Sequence, residues 1–456
     1  MVKNNYAFFY ILTAIFLSAC SNNTNDKRSD TVQLNYSEHI APIIYKNCSP
    51  CHRPGSGAPF DLISYDDVKD HLKTVQLAIN ERLMPPWPAD TSYSHFRDEK
   101  VMTANEIESI NLWIKQGATE GDKKKLVPAP VFYQESNMGK PDLTLKMKTY
   151  SIKGDNKDNF IMLKIPYQFE RDTFIKGIEI IPGNKKLVHH INAHLIQYNS
   201  GAKKNYSQGL PFVDTEKSDK LHAYEALDLK NDDGTYPLLT PSVTNYLPGV
   251  EVAMYPSGIG GYKVKKDGAI LLDNIHYGPS PVDTTDETHF NIYFSPEAPK
   301  RPTTEFILGT SGISPVIPAL IIPPNEIKTF TTTYTVASDI SMLTINPHMH
   351  LLGKSFLAYA IKPQGDTIPL IRIKNWDFRW QYFYTFEKML KIPAGTKIVV
   401  EGTFDNTVNN PLNPFNPPRT ISEREGSMRT TDEMFQLICT IIPYQTGDEN
   451  ISLKTQ

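Results

Sequence analysis

The histidines at the end of one β-prone run offer the first chemistry in this chain. The run leads into Pro347-His348-Met349-His350. Because side chains on a strand alternate between faces, His348 and His350 point the same way, with Leu343 and Ile345 on the opposite face. Two neutral imidazoles on one face are able to hold one metal ion. The HxH pattern by itself favours two polar surface histidines, so the metal assignment depends on the rest of the chain.

A second chemical motif lies near the N-terminus. Cys48-Ser49-Pro50-Cys51-His52 has the CxxCH pattern of c-type haem attachment, in which two thiols bond the porphyrin and the histidine ligates the iron. A redox-active CxxC would need a βαβ context, which the surrounding sequence lacks. The motif therefore predicts covalent haem c on Cys48 and Cys51, with His52 as one axial ligand.

The segments around CxxCH predict helices. Ser37 is expected to cap a helix that leads into Cys48. Residues 67–83 carry apolar side chains at helical spacing, and Thr103-Ala104-Asn105-Glu106 has the pattern of a capping box. The whole segment is similar to a small cytochrome c domain.

A methionine is the predicted second axial ligand of the haem. Met84 follows the middle helix, and a thioether at this position raises the haem potential. Met102 is the competing methionine. His71 and His95 are further candidates, although solvated histidines are the simpler interpretation.

The first twenty residues predict export. Lys3 precedes an apolar run of a dozen residues, which is too short to span a bilayer. Leu17-Ser18-Ala19-Cys20 resembles the bacterial lipobox, in which the cysteine is lipidated. We therefore expect a signal peptide over residues 1–20, a tether over 21–35, and a protein held by lipid to the cell membrane or outer membrane, facing the periplasm or exterior.

Composition limits the remaining possibilities. The net charge is −3 and no basic block occurs, so nucleic acid is not an expected partner. Proline, at 35 of 456 residues, favours loop-rich β structure. Of the four cysteines, only Cys439 lies outside the lipobox and the haem motif, so disulfides within the chain are not expected.

The predicted fold class is multidomain. A small all-α cytochrome c domain (36–120) is followed by a linker (121–139) and two all-β antiparallel sandwiches of jelly-roll type (140–300 and 301–456). Short β-prone runs separated by turn signals such as Pro182-Gly183-Asn184 support the two sandwiches.

The first sandwich carries Val188-His189-His190-Ile191 and, downstream, Ile275-His276-Tyr277-Gly278. Adjacent histidines on a regular strand face opposite ways, so His189 and His190 share a metal only if the backbone is locally irregular. His194 lies roughly 13 Å further along the strand from His190, too far to join them. We interpret four histidines as ordinary polar residues: His194, His222, His39 and His289.

The ordered set of motifs resembles one family. His189-His190, His276-Tyr277, His348-Met349-His350 and Asp432-Glu433-Met434 occur in the order found in the copper type II, ascorbate-dependent monooxygenases, and Leu351-Leu352-Gly353-Lys354 adds to the likeness. The similarity covers roughly residues 140–445. It implies two sandwiches, each with one copper ion, and a solvent cleft between them.

The resemblance implies two ligand sets. One copper would bind His189, His190 and His276, and the other would bind His348, His350 and Met434. Met428 is a rival to Met434, but only Met434 follows Asp-Glu. A thioether beside two imidazoles stabilises Cu(I) for O2 binding, whereas three imidazoles suit a copper that passes electrons.

The sequence also departs from the peptide-amidating members. Where they keep residues that hold a peptide carboxylate, this chain has Asn346, Gln436 and Ile438. A peptide with C-terminal glycine is therefore not the expected substrate. The family's disulfides are absent, and the haem segment is absent from the animal enzymes.

These observations predict a monooxygenase that hydroxylates a C–H bond of a small-molecule substrate with O2. Electrons would come through the fused haem, from an ascorbate-like reductant or a periplasmic redox protein. The main alternative is a non-catalytic haem and copper protein that transfers electrons or binds copper. A third interpretation, in which both sandwiches are carbohydrate- or protein-binding modules, would leave six histidine and methionine residues in family order unexplained.

Overall fold

The computed structural model describes residues 32–132, 136, 138–240, 243–246, 254–423 and 430–454. The predicted signal peptide, Cys20, most of the tether and Met428 lie outside these residues. Within them, short helices precede two regions of antiparallel sheet. No helix of the described part is both long and apolar enough to cross a membrane.

The segment after residue 35 is helical. Its α-helices are α1 (Ala41–Asn47), α2 (Tyr65–Asp70), α3 (Leu72–Asn80) and α4 (Ala104–Lys115), with a π-helical turn over Tyr36–Ile40 and a 3-10 turn over Lys123–Lys125. They enclose a small core that includes Tyr36, Ile44, Val75, Ile110 and Trp113. We refer to residues 36–120 as the helical region.

Two helix predictions were wrong in detail. The first helical turn is capped by Asn35, whose side chain accepts from the Glu38 N–H, whereas the Ser37 hydroxyl donates to the Glu120 carbonyl. Residues 67–83 form parts of two helices rather than one, and Leu83 lies beyond them with 60% of its surface exposed.

The capping box at the start of α4 is confirmed. The Thr103 hydroxyl accepts from the Glu106 N–H at 3.1 Å, and the Glu106 carboxylate accepts from the Thr103 N–H at 2.7 Å. Two of the N–H groups that have no partner within the helix are thereby satisfied.

The region from 143 to 295 forms two facing antiparallel sheets. Its strands are β1 (Leu143–Lys146), β2 (Tyr150–Ile152), β3 (Asn159–Gln168), β4 (Thr173–Ile181), β5 (Val188–Gln197), β6 (Val213–Asp214), β7 (Leu238–Leu239), β8 (Thr244–Tyr246), β9 (Tyr262–Val264), β10 (Asp267–Tyr277), β11 (Thr284–Asp286) and β12 (His289–Ser295), with helix α5 (Lys220–Ala226) after β6. The sheets have the orders β1-β12-β4-β9 and β6-β3-β10-β5-β7. Apolar side chains from both sheets share one core, which includes Ile178, Phe290 and Ile270.

The region from 304 to 443 repeats this architecture. Its strands are β13 (Thr304–Gly309), β14 (Val316–Ile317), β15 (Ile321–Ile322), β16 (Ile327–Thr335), β17 (Ile340–Met349), β18 (Gly353–Ile361), β19 (Thr367–Ile373), β20 (Tyr384–Ile392), β21 (Lys397–Asp405), β22 (Ile421–Ser422) and β23 (Phe435–Pro443). The larger sheets have the orders β13-β23-β17-β20 and β14-β16-β21-β18-β19. Both β regions are consistent with sandwiches, as expected.

The helical region contacts both sandwiches. Ala89 and Phe96 form isolated β-bridges with Ile373 and Phe386 of the second sandwich. On the first sandwich, Gly57 approaches the backbone so closely that a Cβ atom would lie 2.3 Å from the Lys185 carbonyl oxygen. The helical region therefore packs against both sandwiches.

Candidate metal centres

The first histidine group is built on the neighbouring strands β5 and β10. His276 pairs with His190, but the next residue, Tyr277, pairs with Val188, so His189 is an extra residue in β5. This bulge is the local irregularity that adjacent histidines need in order to share one side. The rings of His189 and His190 lie 4.7 and 5.0 Å from the ring of His276, measured between centroids.

Asp158 belongs to this group although sequence reasoning missed it. Its carboxylate lies 2.7 Å from His276 Nε2. Ligand atoms of Asp158, His189 and His276 lie within 4.8 Å of one another, a spacing that a metal ion fits. Asp158 immediately precedes β3 and no motif marks it, so only the pairing of β3 with β10 shows its position.

The atoms of His276 fit metal binding. Since Nε2 contacts Asp158, Nε2 carries the proton, and Nδ1 is the nitrogen whose lone pair faces inward. This Nδ1 is buried without a hydrogen-bond partner among the described residues. A buried polar atom without a partner is costly unless something binds it, and a metal ion would do so.

Burial keeps the other imidazoles of the group neutral. It lowers the pKa of His189 to about 4, with a further contribution from His276, and it lowers the pKa of His190 well below the usual value. Neutral imidazole is the form that ligates metals. Gly278 provides the space for the His189 ring, because a Cβ atom at position 278 would lie 2.4 Å from His189 Nε2.

The second histidine group lies at the end of β17. The rings of His348 and His350 are 5.0 Å apart. His348 Nδ1 lies 2.5 Å from Gln381 Oε1, and His350 Nδ1 lies 2.8 Å from the Asp432 carbonyl oxygen. Both Nδ1 atoms therefore carry the proton and donate, which makes Nε2 the nitrogen that a metal would take in each ring.

One detail of this strand differs from the prediction. The pairing of β17 with β23 shifts between Met342 and Thr344, so Leu343 is a bulge residue. Leu343 packs with Met389 and other residues in a separate cluster, whereas Ile345 belongs to the main core. The two residues do not share a face because the bulge changes the alternation.

Met434 lies directly before the strand that pairs with β17. His348 pairs with Gln436 and Met349 pairs with Phe435, so Met434 and His350 are the next residues beyond the last pair. Glu433 holds the turn in place, since its buried carboxylate accepts from the N–H groups of His350 at 3.0 Å and Leu352 at 2.7 Å. Burial raises the pKa of Glu433 to about 8.

An aromatic ring stands between the two histidine groups. The Phe378 ring, 6% exposed, lies 5.8 Å from His190, 6.3 Å from His276 and 5.6 Å from His350, measured between centroids. His348 and His350 also contribute to the lowered pKa of His190. One buried side chain therefore contacts both histidine groups, which lie close to each other.

The residues that replace the carboxylate-binding positions serve the fold. Asn346 Nδ2 donates to the Tyr382 carbonyl at 2.9 Å, and Gln436 Nε2 donates to the Thr310 carbonyl at 2.6 Å. Ile438 pairs with Asn346 in the sheet. Both amides therefore donate hydrogen bonds to backbone carbonyls of the second sandwich.

The haem motif has the expected donors. The thiols of Cys48 and Cys51 form no disulfide. His52 Nδ1 donates to the Phe60 carbonyl oxygen at 2.9 Å, so Nε2 is the nitrogen that iron would take.

The axial candidates differ in their surroundings. Met84 is 37% exposed, whereas Met102 is 2% exposed and packs in the helical core. His71 stacks on Phe60 at 4.0 Å, and Phe60 also lies 4.9 Å from His52. His52 and His71 therefore both pack against the Phe60 ring.

The geometry of the second sandwich agrees with a family comparison. Residues 311–413 match the C-terminal domain of the copper type II ascorbate-dependent monooxygenases. The match includes His348, His350 and Gln381 and ends before Met434. It supports copper and oxidoreductase chemistry for this part of the chain, together with a substrate, O2 and an ascorbate-like reductant.

The other comparisons add nothing to this match. No curated protein matches the chain. The chain is similar to structures of infectious bursal disease virus strains Gx and Gt, with sequence identities of 8% and 11%. Each match covers 68% of this chain and 74% of the viral chain. Their TM-scores of 0.16 and 0.15 are too low to carry an argument.

Proposed function

We propose that the chain is a copper monooxygenase that hydroxylates a C–H bond of a small-molecule substrate with O2. The observation that carries this proposal is the convergence of two histidine groups, from separate sandwiches, on the ring of Phe378. The second of these groups lies inside the region that matches the family. Copper, when bound, supplies O2 activation and one-electron transfer.

The chain's own residues provide two unequal sites. His189, His190 and His276 offer three imidazoles, with Asp158 behind His276. His348 and His350 offer two imidazoles, and Met434 adds a thioether that favours Cu(I).

Covalent haem c is the proposed electron supply. Cys48 and Cys51 would hold the porphyrin, with His52 and Met84 as axial ligands. The exposed thioether of Met84 supports this choice, because Met102 already serves the helical core. Haem staining of a denatured gel tests the attachment. Loss of the reduced methionine–haem spectrum in Met84→Ala tests the sixth ligand, and an unchanged spectrum would move it to Met102 or a histidine.

Export and lipid anchoring at Cys20 complete the proposal. The lipobox-like sequence supports it. Fractionation of cells that express the full chain tests the anchor: Cys20→Ser should move the protein from the membrane to the soluble fraction. An unchanged membrane fraction would contradict anchoring through Cys20.

One observation favours the alternative of a non-catalytic electron-transfer or copper-binding protein. The buried Phe378 ring packs against both histidine groups, which reduces the room for a substrate between them.

Metal analysis and oxygen uptake separate the candidates. Holoprotein should contain two coppers and one haem per chain, and should transfer one atom of isotopically labelled O2 to a substrate from a screened panel. His350→Ala is the control for copper-dependent product. Copper without product across the panel favours the alternative, and absence of copper contradicts both.

A further inference from the structure

The loop between β19 and β20 contacts three parts of the molecule. We define residues 374–383 as the junction loop. Its Phe378 ring lies between the two histidine groups, its Gln381 side chain contacts His348, and its Tyr382 hydroxyl donates to the Pro86 carbonyl oxygen of the helical region at 2.8 Å.

The segment 86–90 of the helical region holds both ends of the junction loop. At the end of the loop, the Tyr382 ring is 2% exposed and packs 5.5 Å from Trp87, between centroids. At its start, the Asp90 carboxylate lies 2.8 Å from the side-chain nitrogens of both Arg372 and Lys374. These cations hold the pKa of Asp90 below its usual range.

The same segment begins next to the proposed haem ligand. Pro86 is two residues after Met84. The docked end of the loop therefore contacts the chain two residues after the proposed haem ligand.

The position of the loop affects His348 through the hydrogen bond between Gln381 and His348. Gln381 Oε1 accepts from His348 Nδ1, and Gln381 Nε2 donates to the Phe378 carbonyl at 2.8 Å. Asn346 Nδ2 bonds the carbonyls of both Gln381 and Tyr382, at 3.4 and 2.9 Å. Because Gln381 and Tyr382 are adjacent and share this amide, a shift of Tyr382 moves Gln381 and with it the hydrogen bond that orients His348.

We propose that the junction loop couples docking of the helical region to the second metal site. The Tyr382–Pro86 bond fixes the loop, the loop fixes Gln381, and Gln381 sets the ring orientation of His348. The identity of the metal as copper rests on the proposed function. The coupling means that displacement of the Met84 segment weakens the second site and leaves the first one unchanged.

Tyr382→Phe tests the coupling, because it removes only the hydroxyl that bonds Pro86. Tyr444→Phe is the matched control, since this hydroxyl bonds Glu449 at 3.1 Å, outside the junction loop. In full-length holoprotein, we expect Tyr382→Phe to weaken copper binding at the second site by about tenfold, the lower end of outer-ligand effects. The EPR signal of the three-histidine site should not change. Equal second-site affinity in wild type and Tyr382→Phe, with a clear loss in Gln381→Ala, overturns the coupling.

A second measurement does not depend on copper. The imidazole 15N shifts of His348 in metal-free protein report its tautomer and environment. A change of the His348 shifts in Tyr382→Phe, but not in Tyr444→Phe, supports the coupling even if the protein binds no copper. In that case the proposed function fails and the coupling stands. Identical His348 shifts in all three proteins contradict the coupling, whatever the copper content.

Discussion

Asp158 determines which nitrogen of His276 is presented to a metal. Its carboxylate accepts from Nε2 at 2.7 Å, which leaves Nδ1 as the nitrogen with a free lone pair. We predict that Asp158→Ala weakens copper binding at the first site by about 10–100-fold, as loss of a hydrogen-bond partner behind a histidine ligand usually does. Competitive copper titration with EPR measures the effect.

Two matched variants separate the loss of the hydrogen bond to His276 from the loss of a negative charge. Asp158→Asn retains an acceptor and should lose less affinity. Asp155→Ala removes an exposed carboxylate near Lys157 and should lose none. Equal affinities in wild type and Asp158→Ala would show that His276 does not depend on this contact.

In the proposed ligand assignment, Met434 supplies the chemical difference between the two sites. We predict that Met434→Ile abolishes turnover and weakens Cu(I) binding at the second site while the three-histidine copper stays, because only the second site loses a ligand. Copper content and Cu(I) competition measure this. Met389→Ile, at a core methionine that is 2% exposed, controls for packing changes. Loss of both coppers together, or of neither copper nor turnover, would rule out Met434.

At the scale of elements, short helices depend on their caps. Helix α4 begins at the reciprocal Thr103–Glu106 pair. We predict that Thr103→Ala lowers the free energy of unfolding of the helical region by about 1 kcal/mol, because the Glu106 N–H loses its acceptor. Denaturant unfolding followed by circular dichroism measures it. Thr74→Ala, at an exposed position inside α3, should have little effect, and equal losses in both variants would show that the cap is unimportant.

For the whole molecule, the contacts of the helical region with both sandwiches favour electron transfer within the chain. We predict that anaerobic haem reoxidation in haem-reduced, copper-oxidised protein is faster in wild type than in His276→Ala, since a tethered donor acts at high effective concentration. Stopped-flow absorbance measures the rate.

His194→Ala is the control for this prediction. It lies on the same strand as His189, and its Nδ1 lies 3.2 Å from the Thr240 carbonyl oxygen, outside the histidine group. Reoxidation that is equally fast in wild type and His276→Ala, or absent from both, would exclude the relay. The proposed haem and copper sites would then be independent redox units in one chain.

The short motifs could be predicted from the sequence because each depends on residue types at a fixed short spacing. CxxCH, HxH and the Thr103–Glu106 capping box are such patterns, and the alternation of β-prone runs with turns predicted the two sandwiches. The ligand residues and the haem attachment stay predictions that await the experiments above.

The contacts between residues that are distant in the sequence were determined by the tertiary structure alone. The bulge at His189, the contact of Asp158 with His276 and the placement of Phe378 beside both histidine groups all depend on strand pairing or loop packing between residues far apart in the sequence. No local spacing encodes these contacts. The hydrogen bond from Tyr382 to Pro86 joins residues 296 positions apart, and only the packing of the helical region on the second sandwich brings them together.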